Sequence, residues 1–252
     1  MHPESPIGVF DSGVGGLSVL RALRAELPGE DFVYFSDAGN APYGERDDAF
    51  VAARSQAIAA ELLDTHAIKA LVVACNTATA AAVHLLRARH PALPVVGVEP
   101  ALKPAAALTR SGRVAVLATR GTLASAKFLA LRDALAGQAE FLLVPCDGLA
   151  AAIESDDRAR VEALCRRYAR FDDAVDTVVL GCTHYPFAAD TLRALLGPRV
   201  RLVETGEPVA RQARRRLEAA GLLRPQGGGR VTWRGTGDPR ALRAAAARWL
   251  GL

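Results

Sequence analysis

Leu71-Val72-Val73-Ala74-Cys75-Asn76-Thr77-Ala78-Thr79 and Thr177-Val178-Val179-Leu180-Gly181-Cys182-Thr183-His184-Tyr185-Pro186 are built alike. Each is a short apolar, β-branched run followed by a small residue, a cysteine and a set of hydrogen-bonding side chains. Short continuous apolar runs are what a strand covered on both faces of a parallel sheet needs. Further runs of the same kind lie on either side. The strands predicted in this way are 7–10, 32–35, 71–74, 94–98, 113–117, 140–144, 177–180 and 200–203, separated by long Ala/Leu/Arg helical stretches. Strands alternating with helices predict parallel sheets covered by helices.

One offset relates the strands. A shift of 107 carries Phe10 to Leu117, Phe35 to Leu142, Cys75 to Cys182 and Val96 to Val203. The intervals between successive strands are unequal, so a single shift that fits all four predicts an internal duplication. The expected fold is α/β: two similar open parallel-sheet α/β lobes related by internal duplication, with the active site in the cleft between them. The lobes are expected at 1–98 and 99–206. The tail, 207–252, is expected to hold a helix at 208–220, a Gly-rich turn at 227–229, a short strand at 231–233 and a final helix at 239–250, and to pack on the first lobe.

Composition narrows the function classes. Half of the 252 residues are hydrophobic, enough for a sizeable core, and no apolar run has the length of a membrane span. The start lacks a basic segment followed by an apolar one, so no secretory signal is read and a soluble cytosolic protein is expected. Four scattered cysteines without a CxxC pair are neither a disulfide framework nor a zinc knuckle. The net charge of +4 is carried mostly by arginine; its one dense run, Arg211, Arg214, Arg215 and Arg216, reads as a solvated helix face rather than a nucleic-acid site.

Ligands of open α/β sheets bind beyond the carboxyl ends of the strands. After the first strand stands Asp11-Ser12-Gly13-Val14-Gly15-Gly16, which lacks the GxGxxG spacing of a dinucleotide fingerprint. It reads either as a turn offering backbone N–H groups to an anion or as an N-cap pair. Cys75 and Cys182 occupy equivalent strand ends, and a helix is expected to start directly after each, where its dipole and free N–H groups favour a thiolate. Cys146 and Cys165 read as small buried hydrophobes. Two opposed thiols fit several chemistries. A redox pair is one, although such pairs are more often local. A Cys–His hydrolase using Cys182 and His184 is another, as is an incomplete metal site of Cys75, Cys182 and His184. Proton transfer at a stereocentre is the fourth: one thiolate removes a proton and the other thiol returns one to the opposite face. None of the three lysines, Lys69, Lys103 and Lys127, is predicted at a strand end, which argues against a pyridoxal phosphate Schiff base.

Beyond these residue-level readings, the chain resembles the glutamate racemases of the aspartate/glutamate racemase superfamily. The resemblance is carried by Phe10-Asp11-Ser12-Gly13-Val14-Gly15-Gly16-Leu17, Ala41-Pro42-Tyr43-Gly44 and the two cysteine segments, with Val98-Glu99-Pro100, Thr119-Arg120-Gly121-Thr122 and Ser125 in agreement. It implies a cofactor-independent enzyme that interconverts L- and D-glutamate, supplies D-glutamate for peptidoglycan in the bacterial cytoplasm, and forms homodimers, with no membrane or nucleic-acid partner. It further implies that Cys75 and Cys182 are the acid/base pair, removing the proton from D- and L-glutamate respectively. Asp11 would assist Cys75, and Glu154 and His184 would assist Cys182. Asp11, Ser12, Pro42, Tyr43, Gly44, Asn76, Thr77, Thr183 and His184 would bind the substrate, and Thr119 and Thr122 would contact a carboxylate. A related amino acid such as aspartate is the alternative substrate. Glu204-Thr205-Gly206 stands where the family commonly has Asp-Ser-Gly, and Phe128 where Tyr is usual. The short start argues against activation by a cell-wall precursor.

Overall fold

Ile7–Asp11 (β1) is buried along its whole length, and the same holds for Phe32–Ser36 (β2) and Ala70–Val73 (β3). A strand without an exposed face needs cover on both sides, and the helices Leu17–Glu26 (α1), Asp48–His66 (α2) and Asn76–Arg89 (α3) alternate with these strands along the chain. Val95–Gly97 (β4) completes the first set. These elements come from a computed structural model that describes residues 1–224 and 226–252. The second set runs through Leu102–Leu108 (α4), Arg113–Ala118 (β5), Arg120–Ala124 (α5), Ala126–Asp133 (α6), Glu140–Pro145 (β6), Leu149–Glu154 (α7), Arg158–Tyr168 (α8), Thr177–Leu180 (β7), Ala189–Leu196 (α9) and Arg201–Val203 (β8). The chain ends with Gly206–Ala219 (α10), Val231–Gly235 (β9) and Pro239–Leu250 (α11).

These elements form two compact units: 1–98 with 206–252, and 99–205. All pairings are parallel, in the order β4-β3-β1-β2-β9 in the first unit and β6-β5-β7-β8 in the second. Without β9 the two orders are the same: the first strand of each set is central, its second lies on one side, and its third and fourth lie on the other. The tail adds β9 beside β2, in register Tyr34↔Trp233, and packs α10 against α1.

The ladder registers refine the single offset. Val9 pairs with Val72 and Val116 with Val179; Val72 pairs with Val96 and Val179 with Val203, so the shift is 107 for three strands. Val9 also pairs with Tyr34, whereas Val116 pairs with Leu143, so β2 maps onto β6 with a shift of 109. Phe35 therefore corresponds to Val144, not Leu142. The connection from β5 to β6 is two residues longer than that from β1 to β2, and a two-residue difference keeps each side chain on its original face of the sheet.

Candidate active site

In the first unit the carboxyl ends of β1, β2 and β3 bring the candidate residues together. The Ala74 N–H donates to the Phe10 carbonyl at 2.7 Å, carrying the chain one residue beyond β3 before α3 begins. Cys75 is the N-cap of α3, in an extended conformation, and its sulfur accepts the Ala78 N–H at 3.5 Å. The Ser12 hydroxyl lies 3.7 Å from the same sulfur. The helix N-terminus expected at this thiol is present.

The loop after β1 turns two of its backbone N–H groups inward. The Asp11 carboxylate is buried and accepts the N–H groups of Gly13 at 3.1 Å and Gly16 at 2.8 Å. These two donors are therefore taken by the loop's own acid. Nor is there a side-chain N-cap, because Gly16 occupies that position of α1. A Cβ on Gly16 would lie 2.6 Å from the Asp11 Cβ and 2.9 Å from the Tyr34 hydroxyl, so only glycine admits this close packing.

Asn76 and Tyr43 are the clearest candidates for contact with a ligand. Asn76 is 5% exposed, and neither its amide oxygen nor its amide nitrogen has a hydrogen-bond partner in the protein. Each unsatisfied buried group costs about 1–3 kcal/mol, and a polar ligand relieves that cost. Tyr43 is also buried, and its hydroxyl donates to Asp37 at 2.5 Å. Burial, together with the charge of Asp37, pushes the phenol well above its ordinary pKa, so it stays neutral. With its proton committed to Asp37, the phenol oxygen can only accept. Pro42, which precedes it, follows a cis peptide bond, and Gly44 lies in the 3-10 turn Tyr43–Glu45.

Asp37 is the residue that sequence reasoning missed. It is fully buried and also accepts from Arg54 (2.8 and 2.9 Å), Asn40 (3.0 Å) and Thr236 (2.7 Å). Burial raises its pKa, but the hydrogen bonds from Arg54, Tyr43, Thr236 and Asn40 outweigh burial and hold the carboxyl below the usual range. The signal was available, since Ser36-Asp37 stands at the carboxyl end of β2, the same kind of position that drew attention to Asp11 and Cys75.

In the second unit the Gly181 N–H donates to the Leu117 carbonyl at 2.7 Å, the counterpart of the Ala74–Phe10 bond. The helix expected directly after Cys182 is not there. The chain makes a 3-10 turn, Tyr185–Ala188, before α9 starts, and Cys182 caps no helix. Pro186 lacks the N–H that an earlier helical start would use in its second turn, and the short turn spends the intervening residues. The thiol has instead an imidazole and a carboxylate. Cys182 Sγ lies 3.8 Å from His184 Nδ1, and His184 Nε2 lies 2.6 Å from Glu154 Oε2, at the end of α7. Burial lowers the His184 pKa, but the hydrogen bonds to Cys182 and Glu154 dominate and raise it well above the ordinary imidazole value.

Thr183 is buried next to this set. Thr119 is the N-cap of α5: its hydroxyl accepts the Thr122 N–H at 3.2 Å and donates to the Thr122 hydroxyl at 3.0 Å. Under the 107 shift Thr119 corresponds to Ser12, Thr183 to Asn76 and His184 to Thr77, so hydrogen-bonding side chains recur at matched strand ends. The acids do not recur. Cys146, whose N–H donates to Ala118 as Asp37 donates to Asp11, takes the place of Asp37, and burial pushes its thiol well above the ordinary range.

Other features bear on the competing chemistries. Among the described residues no cluster of three or more His, Cys, Asp or Glu is arranged to hold a metal ion. Lys69 is buried at the amino end of β3, opposite to Cys75, in an ion pair with Glu30 at 2.5 Å, and Lys127 pairs with Glu99 at 2.7 Å. In the basic run of α10, Arg211 pairs with Glu207, Arg214 with Glu26 and Glu218, and Arg215 bonds to Gln212, so much of its charge is compensated within the protein.

A family model described as Asp/Glu/Hydantoin racemase matches residues 7–213. The glutamate racemase of Pseudomonas syringae pv. tomato is 50% identical to this chain over 224 residues, covering 87% of this chain and 81% of its own length. Two solved structures are similar at 32% identity and a TM-score of 0.86. One is a glutamate racemase isoform from Bacillus anthracis, covering 100% of this chain and 96% of that one. The other is the Escherichia coli glutamate racemase in complex with L-glutamate and the activator UDP-MurNAc-ala, covering 97% of this chain and 95% of that one.

Proposed function

The chain belongs to the aspartate/glutamate/hydantoin racemase family, and from that premise we propose that it is a glutamate racemase working without pyridoxal phosphate or metal, with Cys75 and Cys182 as its two bases. The observation that carries this reading is the pair of cysteines at matched strand ends, each set among hydrogen-bonding side chains, in a chain half identical to a glutamate racemase.

In the proposed reaction one thiol serves each face of the substrate Cα. With D-glutamate bound, the Cys75 thiolate takes the α-proton and becomes a thiol, while the Cys182 thiol gives its proton to the opposite face and becomes a thiolate. L-Glutamate reacts by the reverse transfer. The α-proton of an amino acid is weakly acidic, so the carbanion needs hydrogen bonds in a dry site. Asn76, with both amide atoms buried and without protein partners, is suited to one end of such a ligand. The hydroxyls of Ser12, Thr119, Thr122 and Thr183 suit its carboxylates, and Thr77 and the Pro42–Gly44 turn complete the set. Asp11 assists at Cys75, and His184 with Glu154 assists at Cys182.

An ordinary thiol has a pKa of about 8.5, leaving only a few per cent thiolate at neutral pH. Each half-site therefore has to favour the anion. On this reading the groups that would do so are the α3 N-terminus at Cys75 and the His184–Glu154 pair beside Cys182. A cysteine, an imidazole and a carboxylate in line would also serve a Cys–His hydrolase, but that reaction leaves Cys75 without a role. The same reading makes it a cytoplasmic enzyme that supplies D-glutamate for peptidoglycan. No helix among the described residues is long and apolar enough to cross a membrane. A homodimer is part of the same reading.

The test is polarimetry or circular dichroism of the purified protein with either enantiomer and no added cofactor. The optical signal of L-glutamate and that of D-glutamate should both decay to zero. Decay with aspartate alone would replace the substrate, and hydrolysis of an amide or ester without racemisation would favour the hydrolase.

A further inference from the structure

The C-terminal extension reaches the Tyr43 segment through one side chain. β9 lies parallel to β2, so both strands deliver their following loops to the same end of the sheet. There the backbones meet almost without intervening side chains. The Thr236 N–H donates to the Ser36 carbonyl at 3.0 Å. A Cβ on Gly235 would sit 2.2 Å from that same carbonyl oxygen, and one on Gly39 would sit 2.7 Å from the Thr236 carbonyl oxygen. Glycine on both sides of the contact is thus a steric requirement, and the contact is narrowly defined.

The Thr236 hydroxyl makes two bonds there. It donates to Asp37 Oδ1 at 2.7 Å and accepts the Gly39 N–H at 3.2 Å. Asp37 in turn holds the Tyr43 hydroxyl through Oδ2. Resting on the functional reading above, we infer that Thr236 is a positioning residue for substrate binding: from the C-terminal extension it fixes the 37–44 segment and the direction of the Tyr43 phenol. Arg54 supplies the charge that Asp37 needs, at 2.8 and 2.9 Å. Thr236 supplies something that Arg54 does not, a link from the carboxylate to the backbone of the turn preceding Tyr43. A valine has the same shape as threonine but removes both bonds, while a serine keeps them.

The experiment compares Thr236→Val, Thr236→Ser and the wild type as full-length proteins. One arm is hydrogen–deuterium exchange of the segment 37–45. Exchange should be at least several-fold faster in Thr236→Val and unchanged in Thr236→Ser. The second arm separates KM from kcat: KM for glutamate should rise about tenfold in Thr236→Val, kcat should change less than about twofold, and Thr236→Ser should match the wild type. Gly235→Ala, which forces the loop off Ser36 without touching the hydroxyl, should raise KM in the same way. Unchanged exchange in Thr236→Val would overturn the inference, as would a lower melting temperature with KM unchanged. A wild type inactive on both glutamate enantiomers would instead defeat the functional reading, and the exchange arm alone would then decide whether Thr236 anchors the segment.

Discussion

Cys75 and Cys182 end equivalent strands of two sheets with the same strand order, yet their surroundings differ. Cys75 caps a 14-residue helix and has a backbone N–H on its sulfur. Cys182 precedes a 3-10 turn and has a titratable imidazole 3.8 Å away, backed by a carboxylate. The shared topology fixes where the thiols stand; the loop that follows each strand fixes what surrounds each sulfur. One half uses backbone dipoles, which no ordinary pH can remove. The other uses a proton on His184, which pH or a single substitution can remove. On the proposed mechanism the two faces of the reaction should therefore respond unequally to the same perturbation.

The largest effect should come from removing either thiol. Cys75→Ala and Cys182→Ala should each lower racemisation about a thousandfold or more, in line with the usual contribution of a positioned acid or base. Both are buried small side chains whose loss leaves little void, so far-UV circular dichroism should be that of the folded wild type. Full activity in either variant would remove that cysteine from the mechanism and with it the comparison.

Breaking the imidazole support should act on one face. Loss of a hydrogen bond to a charged group is worth about 1.5–3 kcal/mol, which is about tenfold to a hundredfold in rate. His184→Asn and Glu154→Gln should lower kcat by that factor with L-glutamate, from which Cys182 is proposed to take the proton, and less with D-glutamate. Enantiomers have equal free energy in water, so kcat/KM must fall equally in the two directions and KM must absorb the difference. The isotope effect on kcat with Cα-deuterated substrate should likewise grow more for L- than for D-glutamate. Equal changes in kcat for both enantiomers would mean that His184 is not specific to the Cys182 face.

The smallest effect is on stability. The His184 pKa is raised in the folded protein, so the protonated ring stabilises the fold. That contribution is fully present below the unfolded imidazole value of about 6.5 and is lost as pH rises through the higher folded value. A melting-temperature series from acid to alkaline pH should fall by a few degrees more in the wild type than in Glu154→Gln. Parallel curves would show that the ion pair does not control the His184 proton.

The strands, their parallel arrangement and the paired cysteines were legible because each depends on local pattern: continuous apolar runs, and polar side chains where a run stops. The offset of 107 failed only at β2 and β6, because two extra residues in one connection leave no trace in a periodic Ala/Leu/Arg sequence. The helix predicted after Cys182 failed because the segment from Tyr185 can form a 3-10 turn, Tyr185–Ala188, as readily as a helix start. Asp37 escaped because its importance is collective: Tyr43 and Arg54 meet there with Thr236, which comes from 199 residues along the chain. Asn76 was named through family resemblance, whereas its unpartnered amide is visible only once the packing is known.

The central claim is that two thiols act on two faces, and isotope incorporation in deuterated water tests it most directly. A thiolate that takes the substrate proton becomes a thiol on one face, while the proton delivered to the product comes from the other thiol, which has already exchanged with solvent. Product formed in the first turnovers should therefore carry deuterium at Cα, while the remaining substrate stays protiated. Early product that is largely undeuterated would show the original proton being returned by a single base, and would contradict the two-cysteine account whatever the variants do.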